Sequence, residues 1–309
     1  MRLVFIIIGL NLLTIDLKSQ INWWEKPESE INQLIQTWEK TGPKSDTILN
    51  NLGYCYSNGI IVKQDYEKAY MYYQKAADLG YSRAINNLGD LYRNGYFVEK
   101  DLNRAFELFK SSASLGDVYG LTNLADCYQY GLGVAPDTNE AIQLLENASI
   151  KGHCPAQNNL GTIYLQGEFV TQDFLKAKQY FEEAALCNEP VALTNLGRIY
   201  RLGLGVIKDY PKAYDYLSSA AVPDNPYAFY ELACMYYNGE GREVNFSEAA
   251  KLYLRSAELG YEMAQVNLGY MYENGQGVEK NLERAIKWYE SAAEKNNDFA
   301  IERLIIIKK

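Results

Sequence analysis

Leucine returns every 36 residues along this chain, at Leu52, Leu88, Leu124, Leu160, Leu196, Leu232, Leu268 and, in a truncated last unit, Leu304. No insertion interrupts the spacing. Three more columns keep the same step through seven full units: a tyrosine from Tyr56 to Tyr272, a glycine from Gly59 to Gly275 and an alanine from Ala69 to Ala285. A period of this length in a chain rich in apolar residues means stacked supersecondary units, none able to bury its hydrophobic face alone. At 309 residues a single compact core would already be unusual. The repeat selects a quasi-one-dimensional array instead.

Each unit predicts two helices, here called A and B. In the unit Ser82 to Gly116, Ala84, Leu88, Leu91 and Tyr92 follow i, i+4, i+7, i+8 spacing, so they share one face of helix A, which ends at Gly95. Asp101 stands in a column that is Asp or Asn in all seven units, the residue types that cap a helix N-terminus. Helix B then buries Ala105, Leu108, Phe109 and Ala113, and Gly116 stops it. Gly89 lies inside helix A, in a column that is glycine in five of seven units. Mid-helix glycine costs about 1 kcal/mol against alanine, so close approach of neighbouring helices is expected to offset it. The asparagine column from Asn51 to Asn267, broken only by Glu231, is expected to hydrogen-bond loop or neighbouring backbone.

The last full unit reads Ala264-x-x-Asn267-Leu268-Gly269-x-Met271-Tyr272-x-x-Gly275-x-Gly277-Val278, with Ala285, Tyr289, Ala292 and Ala293 downstream. This pattern resembles the Sel-1-like repeat family, relatives of the tetratricopeptide repeats, and it covers residues 45–304. The resemblance implies an all-α fold, a right-handed α/α solenoid of seven 36-residue helix pairs with terminal capping helices. It also implies a role as adaptor or scaffold, often in bacterial signalling, envelope or secretion settings. In the similar cysteine-rich secreted branch a disulfide joins the columns held here by Ala77 and Ala84, Ala185 and Ala192, or Ala257 and Ala264. Alanine in those places means that the present chain does not rest on those bridges.

Before the array, Arg2 and the apolar run Leu3 to Leu13 suit a secretory signal peptide, being too short to span a bilayer. The expected organisation is a signal peptide at 1–19, an N-terminal capping segment at 20–44, the solenoid at 45–304 and a C-terminal cap end at 305–309. Export to the periplasm or the medium follows, with no integral membrane span once the signal is removed. Ile31, Leu34, Ile35 and Trp38 at helical spacing predict a capping helix, with Trp23 and Trp24 over the open end. Ile301, Leu304, Ile305 and Ile307 predict a closing helix at the other end.

Cys55 and Cys127 share a column with Leu91, Ile163, Ile199, Met235 and Met271, so they read as small buried hydrophobes. Cys154 begins one helix and Cys187 ends the next, which leaves a bridge within that unit open, although free thiols are expected for all five cysteines. His153, the single histidine, reads as a solvated turn residue. No zinc spacing, phosphate loop or nucleophile elbow is present. Lys40-Thr41-Gly42 matches one β-lactamase element, yet no Ser-x-x-Lys supplies a nucleophile. Neither a catalytic site nor a cofactor nor a metal is expected. The alternative is an envelope enzyme or binder acting on cell-wall peptide or β-lactam.

A net charge of −9 lacks the basic footprint that nucleic acid requires. A monomer that binds protein or peptide ligands is expected. Columns starting at Thr47, Asn50, Tyr54 and Ser57 lie opposite the core stripe of helix A and vary from unit to unit. By analogy with the family they line the concave side. In units five to seven this stripe carries Arg198, Arg201, Tyr227, Tyr230, Tyr237, Met263 and Tyr270. Arginine and aromatic residues are the types enriched at binding hot spots. Burial of the tyrosines between adjacent helices is the competing reading.

Overall fold

The computed structural model describes residues 27–42, 45–168 and 170–308. Sixteen α-helices and no strand occur among the described residues. They form two compact bodies, one ending at Ser112 and the other beginning at Ala113. The first contains α1 (Glu28–Thr41), α2 (Asp46–Asn58), α3 (Tyr66–Asp78), α4 (Ser82–Asn94) and most of α5 (Leu102–Ser114). In the second, α6 (Val118–Tyr130), α7 (Thr138–Ile150), α8 (Cys154–Gln166), α9 (Phe174–Ala185), α10 (Pro190–Leu202) and α11 (Tyr210–Ala220) come first. They are followed by α12 (Pro226–Asn238), α13 (Phe246–Glu258), α14 (Glu262–Asn274), α15 (Leu282–Ala293) and α16 (Asp298–Ile307). Even-numbered helices from α2 to α14 are the A helices and the odd-numbered ones from α3 to α15 are the B helices. The fold is an α/α solenoid of seven helix pairs.

The turn between A and B explains three of the repeating columns at once. Every A helix ends on a glycine with φ between 66° and 73°, a left-handed conformation that side chains with a Cβ rarely adopt. Beyond it, the backbone N–H of the next cap residue donates to the carbonyl of the repeating tyrosine, from Asp65 on Tyr56 to Asn281 on Tyr272. The cap side chain then accepts the backbone N–H three residues on, as in Asp101 to Arg104 and Asn245 to Glu248. Such a cap stabilises its helix by about 1 kcal/mol.

The same tyrosine has a second use. In three repeats a lysine twelve residues on donates to its hydroxyl: Lys68 to Tyr56 at 3.1 Å, Lys176 to Tyr164 at 2.5 Å and Lys212 to Tyr200 at 2.8 Å. Tyr72, Tyr180 and Tyr216 stack on those rings, with centroids 5.8–5.9 Å apart. The ammonium over the ring face adds a cation–π attraction.

Close approach explains the mid-helix glycines. A Cβ at Gly161 would stand 2.6 Å from Phe181, one at Gly53 2.5 Å from Tyr73 and one at Gly269 2.8 Å from Tyr289. The large side chain of B therefore sits directly on the A backbone. Gly161→Val is expected to overpack this seam by about 1–3 kcal/mol, read as lost hydrogen-exchange protection in α8 and α9. Ala125→Gly, at a repeat that already accommodates a methyl group, should change protection in α6 by no more than the ~1 kcal/mol helix-propensity term. Equal losses in the two variants would remove close approach as the reason for the column.

At the N-terminal end Ile31 and Ile35 of α1 bury against Leu52 and Cys55, the capping contact expected. Trp23, Trp24 and the expected signal peptide lie outside the described residues. At the C-terminal end Leu304 and Ile307 of α16 pack on the core of repeats six and seven, but Ile301 and Ile305 are exposed. Ile305 falls in the column held by Gly269.

Two expectations require correction. Cys154 and Cys187 are joined in a disulfide, with Cα atoms 6.4 Å apart, where free thiols were the expectation. An antiparallel helix pair brings the start of α8 and the end of α9 to the same end of repeat four. Cys55, Cys127 and Cys234 are buried thiols outside any disulfide, and burial pushes the Cys55 thiol up to about 12. His153 is not solvated. It precedes α8 as expected of a turn residue, but it is buried with its ring 4.6 Å from that of Tyr119 in an edge-to-face contact.

Candidate functional site

The variable stripe of the A helices divides into open and closed columns. Its second column is mostly buried, at Asn50, Asn86, Thr122, Thr194 and Val266, and Asn50 and Thr194 meet the following repeat. Asn87 Nδ2, for example, donates to Asn50 Oδ1 at 2.9 Å. The first column remains open in the last two repeats, where Tyr227 is 53% and Met263 41% exposed, whereas in the third column Tyr270 is 39% exposed and Cys234 is buried. Tyr227, Met263 and Tyr270 leave large apolar surface in water on the A helices of repeats six and seven.

Arg198 and Arg201 have different surroundings. Arg201 Nη2 lies 2.8 Å from Glu231 Oε2, and its Nη1 lies 3.0 Å from Glu240 Oε2, with side-chain exposures of 10%, 11% and 19% for the three residues. The contact to Glu231 is an ion pair without hydrogen-bond geometry, and Arg201 Nε has no hydrogen-bond partner. Arg198 is half exposed, its Nε 3.9 Å from Glu231 Oε1. Burial pushes the Glu231 carboxyl above the usual carboxylate range, although both arginines pull it down. Two positive and two negative charges thus cancel locally, leaving little net attraction for an acidic ligand. Glu231 is the single break in the asparagine column, and its place there is explained by Arg201.

The tyrosines also separate. Tyr230 is partly buried, its ring 5.7 Å from Tyr253 and 5.0 Å from Tyr261, and burial raises its hydroxyl pKa. Tyr227 meets Tyr261 edge-on at 5.0 Å while keeping an open face. Tyr237 donates its hydroxyl to Gln276 Oε1 at 2.9 Å and packs edge-on against Phe246.

Tyr237, Met263 and Tyr270 line one cavity of about 540 Å³ between α12, α13, α14 and the start of α16. Tyr253, Val266 and Phe299 complete its apolar wall. Three amides, Asn238, Asn267 and Asn297, and the Cys234 thiol supply its polar groups; no charged side chain lines it. Tyr253 is fixed at the base, its hydroxyl 3.3 Å from Cys234 Sγ. Arg198, Arg201, Tyr227 and Tyr230 lie outside this cavity. Phe299 was missed in the sequence, although one more 36-residue step from Met263 reaches it. Tyr253 was missed because it belongs to a B helix, where the same column otherwise fills the seam.

Among the described residues no group of three or more His, Cys, Asp or Glu is placed to hold a metal ion. No described helix is long and apolar enough to cross a membrane.

The Sel1 repeat family model matches the chain seven times, at residues 49–81, 82–117, 118–153, 154–189, 190–221, 226–261 and 262–297. No curated protein matches. Among solved structures, a protective antigen of uropathogenic Escherichia coli with an SLR fold is 30% identical with a TM-score of 0.70, over 88% of this chain and 58% of the antigen. The present chain therefore spans a little over half the length of that relative. A Sel1 repeat protein from Oxalobacter formigenes is 28% identical with a TM-score of 0.67, over 91% of this chain and 82% of that one. Yeast Tom70, at 15% identity and a TM-score of 0.50 over 91% of this chain and 58% of its own, shares the fold alone.

Proposed function

Because the chain belongs to the Sel1 repeat family, we propose that it is a non-catalytic scaffold that binds protein or peptide partners along its A-helix face, the concave side expected of such an array. The observation that carries this reading is the open apolar stripe of repeats six and seven, Tyr227, Met263 and Tyr270, continuous with the cavity lined by Tyr237. Arg198 contributes at the margin of this surface, whereas Arg201 and Tyr230 support it from beneath. The Cys154–Cys187 bridge fits an oxidising compartment, in keeping with an exported, monomeric protein of the periplasm or medium.

A photo-cross-linking amino acid placed at Tyr227 or Tyr270 in cells should give a discrete adduct. The same group at Ile207, which is 92% exposed in the loop after α10, should give none. Equal adduct yields at all three positions would mean that apolar exposure, not the A-helix face, governs capture. Hydrolysis of a chromogenic β-lactam by the purified, metal-free protein at a substantial rate would favour the envelope-enzyme alternative and end the scaffold-only reading.

A further inference from the structure

We propose that the cavity between α12, α14 and the start of α16 takes one large apolar side chain of a peptide partner that carries Lys or Arg beside that anchor. This rests on the scaffold reading above and specifies its ligand. Size comes first: about 540 Å³ accommodates a Phe, Leu, Met or Trp side chain with its adjoining backbone, within the range of ordinary ligand pockets. Wall chemistry comes second. Tyr237, Tyr270, Phe299 and Met263 offer apolar surface, and no cation in the lining is available to a carboxylate or phosphate. Moving such an anion out of water without a partner is strongly unfavourable.

The polar groups suit a peptide chain. Asn238 and Asn267 carry amide donors and an acceptor, the two functions needed to pair with backbone carbonyl and N–H groups, whereas Asn297 is engaged as the cap of α16, its Oδ1 accepting the Ala300 N–H. Charge decides what flanks the anchor. Repeats six and seven, residues 226–297, hold eleven glutamates and no aspartate against seven lysines and arginines. At the cavity edge, Asn297 donates to the Glu262 carboxylate, which puts a negative group behind the rim. Arg201, the cation that a sequence reading would set against an acidic ligand, is already held by Glu231 and Glu240. Attraction of a basic flank therefore acts on association as well as affinity.

A displayed library of random nine-residue peptides, selected on the full chain, tests this. The expected consensus is one large apolar or aromatic residue with Lys or Arg within two positions. For the selected peptide, Phe299→Ala and Met263→Glu should each weaken binding at least tenfold. Glu262→Gln should weaken it several-fold and flatten its salt dependence. Phe299 and Met263 are 45% and 41% exposed, so an unchanged melting curve and circular dichroism spectrum should accompany both variants. A consensus of acidic peptides, or affinity indifferent to both Phe299→Ala and Met263→Glu, would overturn the proposal. So would displacement of the selected peptide by a cell-wall oligosaccharide free of peptide. Peptides that map by cross-linking to the A-helix face of other repeats would likewise remove this site while leaving the scaffold function standing.

Discussion

Arg201→Met is expected to destabilise repeats five and six by about 3–5 kcal/mol, because it strands the buried Glu231 carboxylate together with the partly buried Glu240. Glu231 and Glu240 approach Arg201 from α12 and from the loop that follows it, so the ion pairs hold one repeat against the next. Removing one member of a buried group is far worse than removing all of it. The triple variant Arg201→Met, Glu231→Asn, Glu240→Leu should therefore recover most of the loss: asparagine fills the Glu231 column in the other six repeats, and leucine occurs in the Glu240 column at Leu132 and Leu204. Hydrogen exchange in α10 and α12 measures the effect where a single melting temperature averages over the array.

The pH dependence of the Arg201→Met variant has a definite sign. Burial already raises the Glu231 carboxyl, and loss of Arg201 removes the main charge pulling it down. A carboxylate with a raised native pKa binds its proton more tightly folded than unfolded, so stability falls as pH rises from the unfolded value near ~4.3 through the native one. The variant should thus approach wild type at about pH 4 and diverge from it toward neutrality. A difference independent of pH would show that packing by the Arg201 stem, not its charge, stabilises the seam.

What could be read from the sequence, and what could not, follows from the range of the interactions. Helix pairs, glycine stops and Asp or Asn caps depend on residues a few positions apart in a strict period, so Asp101 and Gly95 disclose their roles directly. Arg201 does not, because its partners lie 30 and 39 positions away, and exposure on an A-helix stripe looks the same as burial beneath it. Glu231 was the visible clue, as the one acidic residue in a column of asparagines. Likewise Tyr230 and Tyr227 are three positions apart on one helix, yet Tyr261 and Tyr253 enclose the first and leave the second open. Their separation depends on the angle between repeats, which periodicity alone does not supply.

Loss of the Cys154–Cys187 bridge is expected to destabilise repeat four by roughly 3–4 kcal/mol, the chain-entropy value for a closed loop of this length. The two residues are 33 apart and fasten the start of α8 to the end of α9, so the bridge closes one repeat instead of joining two. Its effect should accordingly be local, since each repeat contacts only its neighbours. In the Cys154→Ala, Cys187→Ala double variant, hydrogen-exchange protection should fall most across residues 154–189 and progressively less in α7 and α10. Wild type treated with a thiol reductant should match it. Thiol counting under denaturing conditions gives a separate check, expected to find three alkylatable cysteines before reduction, Cys55, Cys127 and Cys234, and five after it. Five thiols before reduction in protein isolated from an oxidising compartment would mean that the bridge does not form there. With the bridge present, unchanged protection in the double variant would mean that the apolar seam around Leu160 and Phe181 holds repeat four without it.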